Sequence, residues 1–132
     1  MKFEILLLYV FFICESCVNI HHDIVYYENG TKKYDIEYKN GKIDGNAKYW
    51  DVNGDLINVV SYNNDLFHGK WIDYYSNGNI QHSINYTFGQ KHGEETWYYE
   101  SGNIKSRIIY EYDKIINDLI RWDQNGVIIN HE

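Results

Sequence analysis

The chain has 132 residues, no proline, and a formal net charge of -7 from 12 Lys and Arg against 19 Asp and Glu. That length holds one domain and excludes a separate cofactor-binding domain. The acidic balance argues against nucleic acid, whose phosphates are gripped by clustered Lys and Arg, and more weakly against an anionic membrane surface. Hydrophobic residues at 44% and charged residues at 23% are those of a folded chain, whereas 17% aromatic residues is high.

The first element is the apolar run ILLLYVFFI from Ile5 to Ile13, preceded by Lys2 and Glu4 and followed by CESC. Nine helical residues span about 14 Å, roughly half a hydrocarbon core, so the run reads as a secretory signal peptide over residues 1–16 and not as a membrane span. Ser16 is small at the expected cleavage point before Cys17. A Cys at that point resembles a bacterial lipobox, whose thiol is diacylated, although Cys14 and Glu15 stand where small or aliphatic residues are preferred. Lipidation at Cys17 would give the chain its one contact with a membrane. The alternative, a redox or metal CxxC, lacks the strand and helix of a thioredoxin motif and any further Cys for zinc. Localisation is therefore expected to be secreted or cell-envelope anchored. Residues 17–23 read as a linker.

Beyond the linker the chain repeats. Gly30, Gly54, Gly78, Gly102 and Gly126 recur every 24 residues, preceded by Asn29, Asn53, Asn77, Ser101 and Asn125. Four residues before each glycine stand Tyr26, Trp50, Tyr74, Tyr98 and Trp122. Two after come Leu56, Ile80, Ile104 and Ile128; six after, Ile36, Val60, Ile84 and Ile108; eight after, Tyr38, Tyr62, Tyr86 and Tyr110. A second turn cluster recurs at Asn40-Gly41, Asn64-Asp65, Phe88-Gly89 and Tyr112-Asp113, and a third column reads Gly45, Gly69, Gly93 and Asn117. The units run over about 22–45, 46–69, 70–93 and 94–117, with a partial unit at 118–132.

Asn-Gly between alternating apolar residues is a hairpin signal, and the flanking Tyr, Trp, Ile, Val and Thr suit a pleated surface. The expected fold is all-β: an elongated, single-layer antiparallel meander of tandem 24-residue hairpins, with nine or ten strands and a length on the order of 45 Å. A three-residue loop with Gly in a G1 bulge opposes Trp50 to Leu56, Tyr74 to Ile80 and Tyr98 to Ile104. Continued regularly, that register collects these pairs with the Ile36, Val60, Ile84, Ile108 row and the Tyr38, Tyr62, Tyr86, Tyr110 row on one apolar face. The other face is then expected to carry Tyr49, Trp71, Tyr75, Trp97 and Tyr99 among Glu37, Ser61, Ser83, Asn85, Gln81, Lys105 and Arg107. Exposed rings among polar groups mark binding surfaces, so these five aromatics are the candidate partner-binding residues. Alternatively they cover a thin sheet that lacks a second layer. Replacing Trp71 or Trp97 by Ala is expected to weaken binding and leave melting near wild type.

At these columns the chain resembles the variant, bacterial-type MORN (membrane occupation and recognition nexus) repeat, over about residues 24–132. The units are YYENGTKKYDIEYKNGKIDG, YWDVNGDLINVVSYNNDLFHG, YYSNGNIQHSINYTFGQKHG and YYESGNIKSRIIYEYDKIIND, closed by WDQNGVII. Asp65, Asp113 and Asn117 depart from its glycine columns. The resemblance implies a hairpin array used for protein interaction and scaffolding, in some bacterial members labelled as the antitoxin component of a toxin–antitoxin pair.

The residues carry little chemistry. His68 and His92 share a column but lie two strands apart, about 9.6 Å, too far to share a zinc ion held at about 2.0–2.1 Å. Glu94 and Glu95 point to opposite faces, and no Ser, His and Asp grouping or phosphate loop emerges. The expectation is no enzyme, no cofactor and no metal. The chain reads as an exported scaffold with an unidentified protein partner. The alternatives are an antitoxin or immunity protein, and a carbohydrate-binding module using the aromatic rows. Edge strands without proline also admit an edge-to-edge homodimer.

Overall fold

A computed structural model describes residues 18–131. The apolar run, its cleavage point and Cys17 lie outside the described residues, among which no helix occurs. Eleven strands form one sheet: β1 (Ile20–Tyr26), β2 (Lys32–Lys39), β3 (Lys42–Trp50), β4 (Leu56–Asn63), β5 (Leu66–Tyr74), β6 (Ile80–Thr87), β7 (Gln90–Tyr98), β8 (Ile104–Glu111), β9 (Lys114–Ile115), β10 (Ile120–Trp122) and β11 (Ile128–His131). They pair antiparallel in chain order, except that β9 and β10 both lie against β8. The expected antiparallel meander of tandem hairpins is the observed fold.

Two turn types alternate, each set by its residues. Within a unit the loop is three residues long. Asp51 N–H donates to the Asp55 carbonyl at 2.9 Å and Gly54 N–H to the Asp51 carbonyl at 3.1 Å, with Gly54 at φ 94. That is a G1 bulge, a backbone shape costly for any residue bearing a Cβ. Between units the loop is two residues long, both with positive φ: 52 and 79 at Asn40-Gly41, 47 and 84 at Phe88-Gly89. This is the type I′ hairpin turn. Phe88 and Tyr112 are unusual there, and each packs against a histidine of the preceding inter-turn strand. His68 lies 4.8 Å from Phe88 and His92 lies 4.7 Å from Tyr112, ring centre to ring centre. The histidine column thus supports strained turns.

The pairs Trp50–Leu56, Tyr74–Ile80 and Tyr98–Ile104 form as expected, but the register then shifts by one residue. Tyr49 faces Asn58, Asp73 faces His82 and Trp97 faces Ser106, which leaves Ile57, Gln81 and Lys105 as extra residues. Each hairpin therefore holds a second bulge, and a bulge exchanges the faces on either side of it. This corrects the face assignment. The row Ile36, Ala47, Val60, Trp71, Ile84, Glu95 and Ile108 runs straight across the sheet. Tyr49 and Trp97 lie two residues along from it on the same side. Tyr49, Trp71 and Trp97 thus belong to the aliphatic front face. The turn-proximal residues Trp50, Tyr74, Tyr98 and Trp122 move to the back face, where Lys32 covers Trp50 and Arg107 covers Trp122. Glu37, Ser61, Ser83, Asn85 and Arg107 lie on the back face as expected.

The front row is the core. Ala47, Val60 and Ile84 are 0%, 3% and 2% exposed, the only buried apolar residues among those described. Large rings flank them: Phe67 lies 5.1 Å from Tyr62, 5.2 Å from Tyr86 and 5.3 Å from Trp71. A single sheet has no second layer, so adjoining aromatic side chains must exclude water from the row by lying across it. Gly69 allows the strands to close here: its φ is +99, and a Cβ on it would meet the Ser61 Cβ at 3.1 Å. Where Asn117 takes the corresponding place, its side-chain oxygen accepts the Ile109 N–H, and the strand breaks into short β9 and β10.

Candidate functional site

The front face changes character where β5, β6 and β7 cross. Three columns that are apolar or neutral in neighbouring units hold Asp, His and Glu here. Asp73 stands where Tyr49 and Trp97 stand, His82 where Asn58 and Ser106 stand, and Glu95 where Ala47 and Trp71 stand. Pairing places them side by side, since Asp73 faces His82 and Ile84 faces Glu95. His82 is 8% exposed and Glu95 9%.

Their hydrogen bonds form one network. His82 Nδ1 lies 3.1 Å from Asp73 Oδ2, and Nε2 lies 2.9 Å from Glu95 Oε1. Both ring nitrogens of His82 thus face a carboxylate oxygen, and the imidazole bridges the two acidic side chains. Asp73 Oδ1 also accepts from Asn58 Nδ2 at 2.6 Å and Trp71 Nε1 at 3.1 Å. Lys91 Nζ donates to Glu95 Oε2 at 3.3 Å while lying 4.8 Å from the centre of the Tyr110 ring. Burial acts to raise the Glu95 pKa, but the His82 bond and the Lys91 charge outweigh it and hold the carboxyl below the ordinary glutamate range. Burial likewise acts to lower Lys91, and the Glu95 charge overcomes it and raises that pKa.

Rings frame this network. The indole of Trp97 stacks on the His82 imidazole with centres 4.1 Å apart and planes 27° apart, and it remains 43% exposed. Trp71, Asp73, Ile84, Tyr86, Lys91 and Trp97 line an open groove over it. The groove has an apolar floor at Ile84, aromatic walls, and charged groups already held in place.

Of the five aromatics expected to form one surface, the structure brings Trp71 and Trp97 together here. Tyr49 lies further along the front face, against Tyr34 at 6.3 Å. Tyr75 and Tyr99 are elsewhere, in the turn seam. The Tyr75 hydroxyl donates to the Tyr98 carbonyl at 2.8 Å and that of Tyr99 to the Trp122 carbonyl at 2.9 Å, as Tyr27 does to Trp50 at 2.9 Å. These three tyrosines each tie their hairpin to the next, whereas the second unit has Asp51 in that column, and Tyr75 and Tyr99 are thereby set apart from the front-face groove. Sequence reasoning missed Asp73, His82 and Lys91, and weighed Glu95 only against Glu94. Glu94 lies on the back face, 3.5 Å from Arg107. The signal that could have found the site was the loss of the repeat pattern at three adjoining columns. Among the described residues no three His, Cys, Asp or Glu side chains gather so as to hold a metal ion.

No curated protein matches the chain. The MORN repeat variant matches it at residues 24–40, 67–87 and 91–112, which are the hairpins β1–β2, β5–β6 and β7–β8. The last two of these carry the groove. A tandem array of 24-residue hairpins, with matched units at three places along it, makes this chain a member of the MORN repeat variant family.

Proposed function

We propose that this chain is an exported, non-catalytic scaffold that binds a protein partner through the front face of β5–β7. The carrying observation is Trp97, an indole left 43% exposed yet fixed by stacking on a bonded, buried histidine. A ring held rigid before binding loses little entropy on contact, which is the property of an interface anchor. Binding is favoured over catalysis because both His82 nitrogens are already engaged by carboxylates of the chain itself and neither is turned to the open groove. Export rests on the apolar run before Cys17, with a lipid at Cys17 as the tether.

The test is affinity capture from the native host with wild type, Trp97→Ala and the back-face control Lys70→Ala, read by mass spectrometry. A protein retained by wild type and Lys70→Ala but lost with Trp97→Ala is the expected result. Equal capture by all three, or loss with Lys70→Ala alone, refutes the reading. The same mass measurement on the mature chain reports cleavage before Cys17 and any acyl group there.

A second reading is favoured by one feature of the groove: Trp71, Trp97 and Tyr86 stand around Lys91 and Glu95, a pairing of stacking rings with polar groups that suits a sugar. A glycan array without hits removes it. An antitoxin or immunity role is a narrower form of protein binding, and a small toxic protein among the captured partners would mark it.

A further inference from the structure

Each internal junction of the sheet joins the second strand of one hairpin to the first strand of the next. Near the turns, these junctions are sealed on the back face. At three of the four internal junctions the side chain two residues after the turn glycine lies by the aromatic ring four residues before the next turn glycine. Lys32 Nζ lies 5.0 Å from the Trp50 ring centre, Leu56 shares a hollow with Tyr74, and Ile104 shares one with Trp122.

At the two ends of the sheet the same columns hold Tyr26 on β1 and Ile128 on β11. Both are exposed, at 56% and 48%, whereas Trp50, Tyr74, Tyr98, Leu56, Ile80 and Ile104 are at least partly covered. Among the described residues no strand lies outside β1 or β11. One end therefore presents one half of the repeat junction and the other end presents its complement.

We infer that copies of this chain add head to tail, β11 of one copy pairing antiparallel with β1 of the next, so that Ile128 seals against Tyr26. The β4–β5 junction is the template. It follows a turn whose Asp51 Oδ1 accepts from the Asn53 and Asp55 N–H groups at 2.9 and 3.0 Å. The last turn repeats this, with Asp123 Oδ1 accepting from Asn125 and Val127 N–H, both at 2.9 Å. In β4–β5, Asn58 faces Asp73 and Val59 faces Ile72. The same column positions set Asn130 opposite Val25 and His131 opposite Ile24 across the seam between copies. A seam this short already holds within the sheet, since β8 and β10 meet through two residue pairs. Because the two surfaces differ, the contact does not close on itself in a dimer and leads to longer chains or rings. Unpaired strand edges carrying exposed Ile20, Ile24 and Ile129 are suited to such addition.

The inference is independent of the front-face reading and is tested separately, on the 132-residue chain, by sedimentation equilibrium. Wild type is expected to show a mass that rises with concentration past the dimer. Tyr26→Glu and Ile128→Glu each change an exposed side chain and should keep the wild-type circular dichroism spectrum. Each alone should remain monomeric, and an equimolar mixture should form dimers, because the intact tail of the first meets the intact head of the second. A monomeric wild type overturns the inference. So does self-association of either variant alone, whether through like edges or through the apolar N-terminal run, and so does a mixture that stays monomeric.

Discussion

Trp71 and Trp97 share a face and a groove, yet truncating them should have unequal consequences. Trp71 packs edge-on against Phe67 at 5.3 Å, lies beside Ile84 and Tyr86, and donates its indole hydrogen to Asp73. Full burial of a Trp is worth about 3–5 kcal/mol on truncation to Ala; a half-buried ring that also loses a bond to a carboxylate should cost about 3 kcal/mol. Trp97 is 43% exposed, and its main contact is the stack on His82. Losing that stack should cost about 1 kcal/mol. For a domain of this size 1 kcal/mol moves the melting temperature by about 4 °C, so Trp71→Ala should melt about 12 °C below wild type and Trp97→Ala about 4 °C below. Thermal unfolding followed by far-UV circular dichroism reads the difference. Equal shifts, or a Trp71→Ala protein that melts like wild type, refute the placement of Trp71 in the front row.

Glu95 has a pKa held below the ordinary glutamate range, so its contribution is present at neutral pH and disappears as the pH falls through that range towards the folded-state value. Glu95→Gln should therefore melt lower than wild type at pH 7, and the gap should narrow between about pH 5 and pH 3; a constant gap contradicts the ion-bonded network. Gly69→Ala places a Cβ at φ +99 against Ser61 and should cost about 1–2 kcal/mol by chemical denaturation, where no loss would contradict the close approach of β4 and β5. Tyr99→Phe removes the bond to the Trp122 carbonyl, at about 1 kcal/mol, and should speed amide exchange in β10 and β11 before β3 and β4. Uniform acceleration would show that the seam is not a local tie.

The fold was legible because its turns are written in residues that few other conformations require. Asn-Gly at a fixed interval specifies the loop, and the aromatic and aliphatic columns give the first cross-strand pair correctly at Trp50–Leu56. The faces were not legible, because the second bulge leaves no mark. Its extra residues are Lys33, Ile57, Gln81, Lys105 and Ile129, which share neither size nor polarity, and no glycine announces the irregularity. One unmarked residue per hairpin was enough to move Tyr49, Trp71 and Trp97 from one side of the sheet to the other. The site escaped for a related reason. A repeat is recognised by what its units share, whereas Asp73, His82 and Glu95 are places where adjoining units differ. Tyr75 and Tyr99, by contrast, drew notice as recurrent aromatics, and their recurrence reflects the hydrogen bond that fastens one hairpin to the next.

The face assignment bears most of the weight, since the groove, the anchor ring and the core row all depend on it. Nuclear Overhauser contacts of the Trp71 indole test it directly. The structure predicts cross-peaks to the Ile84 methyls and to the Phe67 and Tyr86 rings; cross-peaks to Ser83 and Asn85 instead would place Trp71 on the back face and contradict the account.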